Sequence, residues 1–230
     1  MQVILSYYKR NGDLGGEAMG MAGTATPHGK AKVFAALRKY ISRGYEFVDM
    51  GAGSGVMLFL ALCEGAELAV GVEVRSAGYD SVFNGALKLL SQRVSPTTIR
   101  LDLGCGVGVP TRIECMYRVI DKLPTLQQGG QDLPVVVFAF SEGFNEMDRR
   151  HLYQLVGQDR RVRLFICSKG AGSKDKYRKA GVILKELNEA ADEAGLPHFS
   201  LPEAKLDQVL KVSMVGSGSQ KSLLVLLRCP

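Results

Sequence analysis

The chain has 230 residues, 46% of them hydrophobic, and a formal net charge of +6. This length supports one large domain with a substantial buried core. The longest unbroken apolar run, Val56 to Cys63, is far too short to span a bilayer, and no basic-then-apolar signal segment opens the chain. We therefore expect a soluble intracellular protein, nuclear or cytoplasmic.

Cysteine and histidine usage argues against a disulfide framework and against a zinc site. The five cysteines form an odd set without a Cys-x-x-Cys pair, and the three histidines are scattered along the chain. We expect free thiols and no bound metal ion.

The first convincing helix is predicted over residues 30–41, whose apolar residues recur at helical spacing. Its apolar face consists of Val33, Phe34, Leu37 and Ile41. The preceding residues 11–27 are rich in Gly, Ala, Met and Thr and are predicted to form a loop. We therefore divide the chain into an N-terminal segment, 1–29, and a single domain, 30–230.

A strand, a glycine loop, a helix and a second strand are predicted in residues 45–73. The loop is Gly-Ala-Gly-Ser-Gly at 51–55, and the apolar residues 56–63 continue it as a helix. Its three glycines let the backbone turn sharply and approach a ligand where any Cβ would collide. Glu73 closes the second strand, where its carboxylate can accept hydrogen bonds from ribose hydroxyls. This unit predicts a site for a nucleoside-containing cofactor.

The spacing of the glycines indicates which nucleoside is bound. A dinucleotide site uses Gly-x-Gly-x-x-Gly, so that pyrophosphate lies on a helix N-terminus. Here the glycines alternate, and Asp49 precedes them at the strand end. A carboxylate in that place repels pyrophosphate and suits the ammonium group of a methionine-type cofactor. We therefore favour such a cofactor over NAD.

The middle of the chain continues the alternation of helix and strand. Residues 76–90 are predicted to be helical, and the β-prone residues 97–101 form a third strand that ends in Asp102. The apolar face of the helix is Val82, Ala86 and Leu89. Residues 109–133 are predicted to be a mostly helical, partly irregular connection.

The second half of the chain completes a sheet. Residues 133–140 form a nearly continuous apolar run, as in a central parallel strand that is buried on both faces. The remaining predicted elements are a helix from about Glu146, a strand at 162–167, a helix at 176–194, and strands at 209–214 and 222–228. Seven strands with interleaved helices predict an α/β, doubly wound sheet whose last two strands form an antiparallel hairpin. Ligands in such sheets lie outside the carboxyl ends of the strands, where Gly51, Glu73, Asp102 and Phe140 are expected to converge.

Together these motifs resemble the class I S-adenosylmethionine-dependent methyltransferases, which have a Rossmann-like seven-stranded sheet. Within that class the chain is similar to the histone lysine methyltransferases of the disruptor-of-telomeric-silencing (Dot) type. Four stretches carry the similarity, over roughly residues 24 to 228. They are Thr26-Pro27-His28-Gly29, residues 47–55, Gly71-Val72-Glu73 and Phe138-Ala139-Phe140.

The resemblance implies a role for each candidate site residue. The segment before the first helix, with Thr26 and His28, would fold over S-adenosyl-L-methionine. The remaining cofactor contacts would come from Asp49, Gly51, Gly53 and Gly55 to the methionyl part, Glu73 to the ribose, Asp102 to the adenine, and Phe138. Phe138 and Phe140 would line a lysine channel. Apart from the resemblance, Ser141 and Asn145 are the nearest polar candidates in the sequence for orienting the acceptor. The family places a pair of Asn just before Phe-Ala-Phe, whereas this chain has Val136 and Val137.

The positive charge is concentrated in two blocks. Residues 1–43 hold seven Lys or Arg against two acids, and residues 149–185 hold eleven against two. Such blocks favour an acidic partner, and we expect nucleic-acid contact through residues 149–185 and a histone or nucleosome as protein substrate. Two alternatives remain open: a weakly active or inactive methyltransferase-fold module that binds nucleic acid or chromatin, and a methyltransferase of RNA or small molecules.

Overall fold

The architecture is an eight-stranded sheet between two layers of helices. The computed structural model describes residues 2–11, 33–34, 37–41, 44–73, 79–92, 94–95, 97–103, 122–127, 132–139, 144, 146–169, 179–201, 210–213 and 220–230. Its strands are β1 Tyr45–Met50, β2 Ala66–Glu73, β3 Ile99–Leu103, β4 Val135–Ala139, β5 Val162–Lys169, β6 Phe199–Ser200, β7 Leu210–Ser213 and β8 Gln220–Arg228. Its helices are α1 Gln2–Asn11, α2 Val56–Cys63, α3 Tyr79–Leu90, α4 Glu146–Gln158 and α5 Ala180–Glu193.

The strand order is β3-β2-β1-β4-β5-β8-β6, and β7 also pairs with β8. Strands β1 to β5 run parallel, whereas β8 is antiparallel to β5, β6 and β7. The predicted doubly wound, Rossmann-like sheet of methyltransferase type and its C-terminal hairpin are thus confirmed. Of the strands in the described residues, only β6 was not predicted, because two residues are too few to show a strand pattern.

The sheet separates two apolar layers because successive side chains on each strand point to opposite faces. Phe47 and Phe138 join one cluster, which α1, α2 and α3 cover. Val48 and Val137 join the other, which α4 and α5 cover. The central strands β1 and β4 are buried along their whole length, which the apolar sequence of β4 predicted.

Helix α1 was not predicted. It packs against α2 and α3 and buries Ile4 and Tyr8, one helical turn apart, in the same cluster as β1. Val3 and Leu5 flank Ile4, and Val3 is 51% exposed, so the apolar residues of this helix do not follow one clear helical spacing. Helix α1 therefore contributes to the core of the sheet domain, and the division of the chain at residue 29 stays a prediction.

The predicted buried face of α3 was wrong. In α3 the buried face is formed by Tyr79, Phe83, Ala86 and Leu90, whereas Leu89 is 50% exposed. Both faces have helical spacing, so the spacing alone does not distinguish them. Residues 122–127 are irregular, as part of the predicted connection 109–133 was expected to be. The other predicted residues of that connection, 109–121 and 128–131, lie outside the described part.

The irregular residues 122–127 are tied to β1 by a buried acid. Glu46 is fully buried, and its carboxylate accepts hydrogen bonds from the Thr125 hydroxyl at 2.6 Å and from the Leu126 backbone N–H. These contacts satisfy the carboxylate, whose burial would otherwise be costly. Glu46 thus has a structural role at the amino edge of the sheet.

Arg228 also lies at the amino edge of the sheet. Its guanidinium donates hydrogen bonds to five backbone carbonyls and lies over the ring of Phe199, 4.3 Å from the centroid. The carbonyls belong to Val156, Gly157, Asp159, Val162 and Pro197. Burial lowers the pKa of Arg228 to about 10, so the group is still charged at neutral pH. One side chain therefore joins the end of β8 to the α4–β5 turn.

Among the described residues, no helix is long and apolar enough to cross a membrane.

Candidate functional site

The strand order reverses between β1 and β4. The chain runs from β1 outward to β2 and β3, then returns to form β4 on the other side of β1. Doubly wound sheets bind ligands outside the carboxyl ends of the strands at such a reversal. The loop after β1 is the glycine loop 51–55.

The glycine loop has the backbone conformation that its sequence predicted. Gly51, Gly53 and Gly55 have φ angles of 90°, 54° and 80°, in the left-handed region that favours glycine. A Cβ built on Gly55 would lie 2.8 Å from Cδ2 of Phe83, whereas no described atom lies within 4 Å of one built on Gly53. The loop therefore packs against α3 at Gly55 and has an open side at Gly53.

Strand β2 holds this loop in place. The backbone N–H groups of Gly51 and Ala52 both donate to the carbonyl of Val72, over 2.9 and 3.0 Å. The N–H of Gly53 donates to Oε2 of Glu73 over 2.9 Å. The structure thus brings together the glycine loop and the acid that the sequence assigned to the ribose. Glu73 is only 8% exposed.

Gly71 permits the close approach of loop and strand. A Cβ at this position would lie 2.6 Å from Cβ of Ala52 and 2.9 Å from Cδ1 of Leu58. Gly71 belongs to the Gly71-Val72-Glu73 motif but was not predicted to have a role of its own. A glycine inside a strand is the signal that could have found it, because such glycines often mark a close approach.

Asp49 lies one residue before the end of β1 and is 2% exposed. Its register partners are Gly71 on β2 and Phe138 on β4. The side chain of Asp49 therefore leaves the sheet on the same face as that of Phe138. This is also the face of Glu73, two residues beyond Gly71. Two carboxylates therefore flank the base of the glycine loop on one side of the sheet.

Asp102 does not join this group. Its register partner is Val72, so its side chain leaves the opposite face from that of Glu73. Nε of Arg100 contacts both carboxylate oxygens of Asp102, at 2.9 and 3.0 Å. Both side chains are partly exposed. A contact of Asp102 with adenine stays a prediction.

Phe138 packs in the core. It is 4% exposed, and its ring stacks on that of Phe47 with centroids 6.2 Å apart and an interplanar angle of 26°. The neighbouring Val136 and Val137 are fully buried on opposite faces. Packing therefore accounts for the described contacts of all three side chains.

Five other candidate site residues lie outside the described residues. They are Thr26, His28, Phe140, Ser141 and Asn145. Their roles stay predictions. No group of three or more His, Cys, Asp or Glu suited to a metal ion occurs among the described residues.

A cavity of about 310 Å³ lies at the opposite, amino-terminal edge, where α4 turns into β5. Lys122, Arg160 and Arg161 contribute to its wall, but Asp159 is hydrogen-bonded to Arg161. That bond, with the nearby Glu46 and Asp132, raises the pKa of Arg161. Because Asp159, Glu46 and Asp132 offset the positive charge of Arg161, we do not assign the cavity as an anion site.

Solved structures that are similar to this chain include several methyltransferases, at low sequence identity. No family model matches the sequence, and no curated protein matches it. A proposed RNA methyltransferase from Pyrococcus horikoshii is 14% identical, with 89% of this chain and 83% of that chain covered and a TM-score of 0.48. Magnesium protoporphyrin IX methyltransferase from Synechocystis, solved with bound SAH, is 17% identical, with 88% and 83% covered and a TM-score of 0.48.

A proposed tRNA (m1A22) methyltransferase from Streptococcus pneumoniae is 14% identical, with 86% of this chain and 69% of that chain covered and a TM-score of 0.46. At such identities and TM-scores, the similarities carry no information on the substrate of this chain.

Proposed function

We propose that this chain is an S-adenosylmethionine-dependent methyltransferase. The observation that carries the proposal is the hydrogen bond from Gly53 to Glu73, which holds three left-handed glycines beside the acid at the end of β2. An open glycine backbone next to a ribose-binding acid suits a nucleoside. The buried Asp49 at the base of the loop argues against pyrophosphate, because its carboxylate would repel the phosphates.

The described residues fit this cofactor. Asp49 would pair with the ammonium of the methionyl part, and Glu73 would accept hydrogen bonds from the ribose hydroxyls. A carboxylate can accept several hydrogen bonds, so Glu73 can hold Gly53 and the ribose together. When bound, S-adenosylmethionine supplies an electrophilic sulfonium methyl group. The protein then needs to position and desolvate an acceptor, and no catalytic triad is required.

Isothermal titration calorimetry with S-adenosylmethionine tests the proposal. We expect Glu73→Gln to weaken binding about tenfold or more, the usual effect of losing a charge-assisted hydrogen bond. Glu67→Gln is the matched control, since Glu67 lies on the same strand but is exposed. Absence of binding to the unmodified protein, or equal affinities for the two variants, would reject this cofactor site.

The methyl acceptor is the finer part of the proposal. The family resemblance favours a protein lysine. However, Phe138 is buried against Phe47, so its ring is not exposed to line a lysine channel. RNA, a small molecule and an inactive binding module therefore stand beside lysine as hypotheses. Transfer of labelled methyl groups onto nucleosomes, free histones, RNA and a metabolite extract distinguishes them. Incorporation into one class identifies the acceptor, and no incorporation despite cofactor binding favours the module.

A basic partner surface within residues 149–185 is a further part of the proposal. Arg149 is only 4% exposed, so it adds little to a surface, whereas Lys179 is exposed at the start of α5. Lys174 and Lys176 lie outside the described residues. Neutralising Lys174, Lys176 and Lys179 together is expected to weaken partner binding and flatten its salt dependence, with cofactor affinity unchanged. An unchanged salt slope would reject this surface.

A further inference from the structure

Helix α1 reaches the glycine loop through one hydroxyl group. The phenol of Tyr8 donates a 2.8 Å hydrogen bond to the backbone carbonyl of Ser54, in the middle of that loop. Tyr8 is fully buried, and Ser54 is 1% exposed. The contact spans 46 residues of sequence, so it is a product of the tertiary fold.

Ring packing fixes the position of this hydroxyl. The Tyr8 ring lies 6.2 Å from that of Phe59 on α2 and meets the Tyr7 ring edge-on at 5.5 Å. The Tyr7 hydroxyl points elsewhere and donates to the carbonyl of Val82 on α3, over 3.1 Å. Adjacent tyrosines on one helix thus bind two different partners, of which only one is the loop.

The carbonyl of Ser54 belongs to the Ser54–Gly55 peptide, which precedes α2. The N–H of the same peptide, that of Gly55, donates to the carbonyl of Ala52 over 2.9 Å. That carbonyl belongs to the Ala52–Gly53 peptide, two peptides earlier, whose N–H donates to Glu73. Rotation of the Ser54–Gly55 peptide would therefore break the bond to Ala52 and disturb the peptide that binds Glu73. Such a rotation costs little free energy next to glycine, because glycine can adopt more backbone conformations than other residues.

We propose that Tyr8 is a positioning residue for the cofactor site, acting through the glycine loop and without contact to the cofactor. This inference rests on the proposed S-adenosylmethionine binding. Its physical basis is that a ligand which needs one loop conformation binds more weakly when that conformation is only partly populated. The N-terminal helix is then part of the binding machinery, although it lies outside the sheet and its crossovers.

The test compares Tyr8→Phe with Tyr7→Phe. Each variant keeps its ring and loses one hydroxyl, and each removes one hydrogen bond between α1 and a backbone carbonyl. Because the bond of Tyr8 is buried and that of Tyr7 is partly buried, the unfolding free energy of each variant is measured beside its affinity. We expect Tyr8→Phe alone to raise the Kd for S-adenosylmethionine about fivefold, the effect of one neutral hydrogen bond. We also expect faster amide hydrogen exchange over residues 51–58 of Tyr8→Phe without cofactor. Urea unfolding of both variants confirms that they are folded.

The outcomes separate this inference from the proposed function. Equal affinities and equal loop exchange in the two variants would overturn the role of Tyr8, even if the unmodified protein binds the cofactor. If the unmodified protein does not bind S-adenosylmethionine, the proposed function fails. Exchange over residues 51–58 then still decides whether Tyr8 orders the loop.

Discussion

The backbone N–H of Gly53 donates a 2.9 Å hydrogen bond to Oε2 of Glu73, twenty residues further along the chain. This contact joins the loop after β1 to the carboxyl end of β2. The backbone carbonyl of Val72 on β2 and the hydroxyl of Tyr8 on α1 also form hydrogen bonds with the loop. The site is therefore assembled by backbone groups and two side chains from separate elements, and substitutions that move the loop should be felt at Glu73.

Gly71→Ala is expected to disturb this assembly by steric overlap. The added methyl group would lie 2.6 Å from Cβ of Ala52, so loop and strand must separate. Overpacking of this kind costs about 1 to 3 kcal/mol of unfolding free energy, and cofactor affinity should fall with it. The control is Gly181→Ala in α5, where no described atom lies within 4 Å of the new methyl group. Urea unfolding should show no loss for the control, because Ala favours a helix over Gly.

Gly55→Ala should be more harmful than Gly195→Ala. Both glycines have left-handed φ angles, 80° and 62°, so both substitutions carry a backbone cost of about 1 to 2 kcal/mol. Only at Gly55 does the new Cβ also meet Phe83, at 2.8 Å. Unfolding free energies and calorimetric Kd values measure the difference. Equal losses at the two positions would contradict a close packing of the loop on α3.

Arg228→Lys is expected to destabilise the fold without changing the cofactor site. Lysine carries three donors and lacks the planar fork that now serves five carbonyls, so we expect a loss of roughly 2 kcal/mol. Arg163→Lys, on the exposed side of β5, should stay within about 0.5 kcal/mol of the unmodified protein. Because Arg228 lies at the amino edge, the Kd for S-adenosylmethionine should not change in either variant. A raised Kd in Arg228→Lys would show that the two edges of the sheet are coupled.

Tyr45 should make the protein less stable at high pH. Burial, with a smaller contribution from Glu64, raises the pKa of Tyr45 from 10.0 to about 12. Above pH 10 the phenol is ionised in the unfolded chain but still protonated in the folded one. Folded protein then binds more protons, so its stability falls as pH rises from about 10 and levels off above 12.

The variant Tyr45→Phe lacks this titration and tests the prediction. Its stability relative to the unmodified protein should improve by roughly 1.4 kcal/mol between pH 8 and pH 11, measured by urea unfolding at each pH. A difference between the two proteins that is the same at both pH values would contradict the shifted pKa.

Local patterns were enough to predict most of the sheet and the loop at its centre. The apolar run of β4 and the alternating glycines are properties of neighbouring residues, and the structure confirms the strand and the turned loop that they predicted. The predicted face of α3 failed at Leu89, because a short amphipathic pattern allows more than one face and packing selects between them. Helix α1 was not predicted because the burial of its side chains depends on α2 and α3, which are distant from it in sequence.

The candidate site divides in the same way. From residue types and spacing, the sequence by itself determined the strand–loop–helix–strand unit, its glycines and the acids at 49 and 73. Only the tertiary structure decided that Glu73 meets Gly53, that Asp102 faces the other side of the sheet, that Phe138 packs on Phe47, and that Tyr8 holds the loop. The physical reason is that backbone conformation depends on near neighbours, whereas register and the hydrogen bonds between distant segments exist only after those segments have packed together.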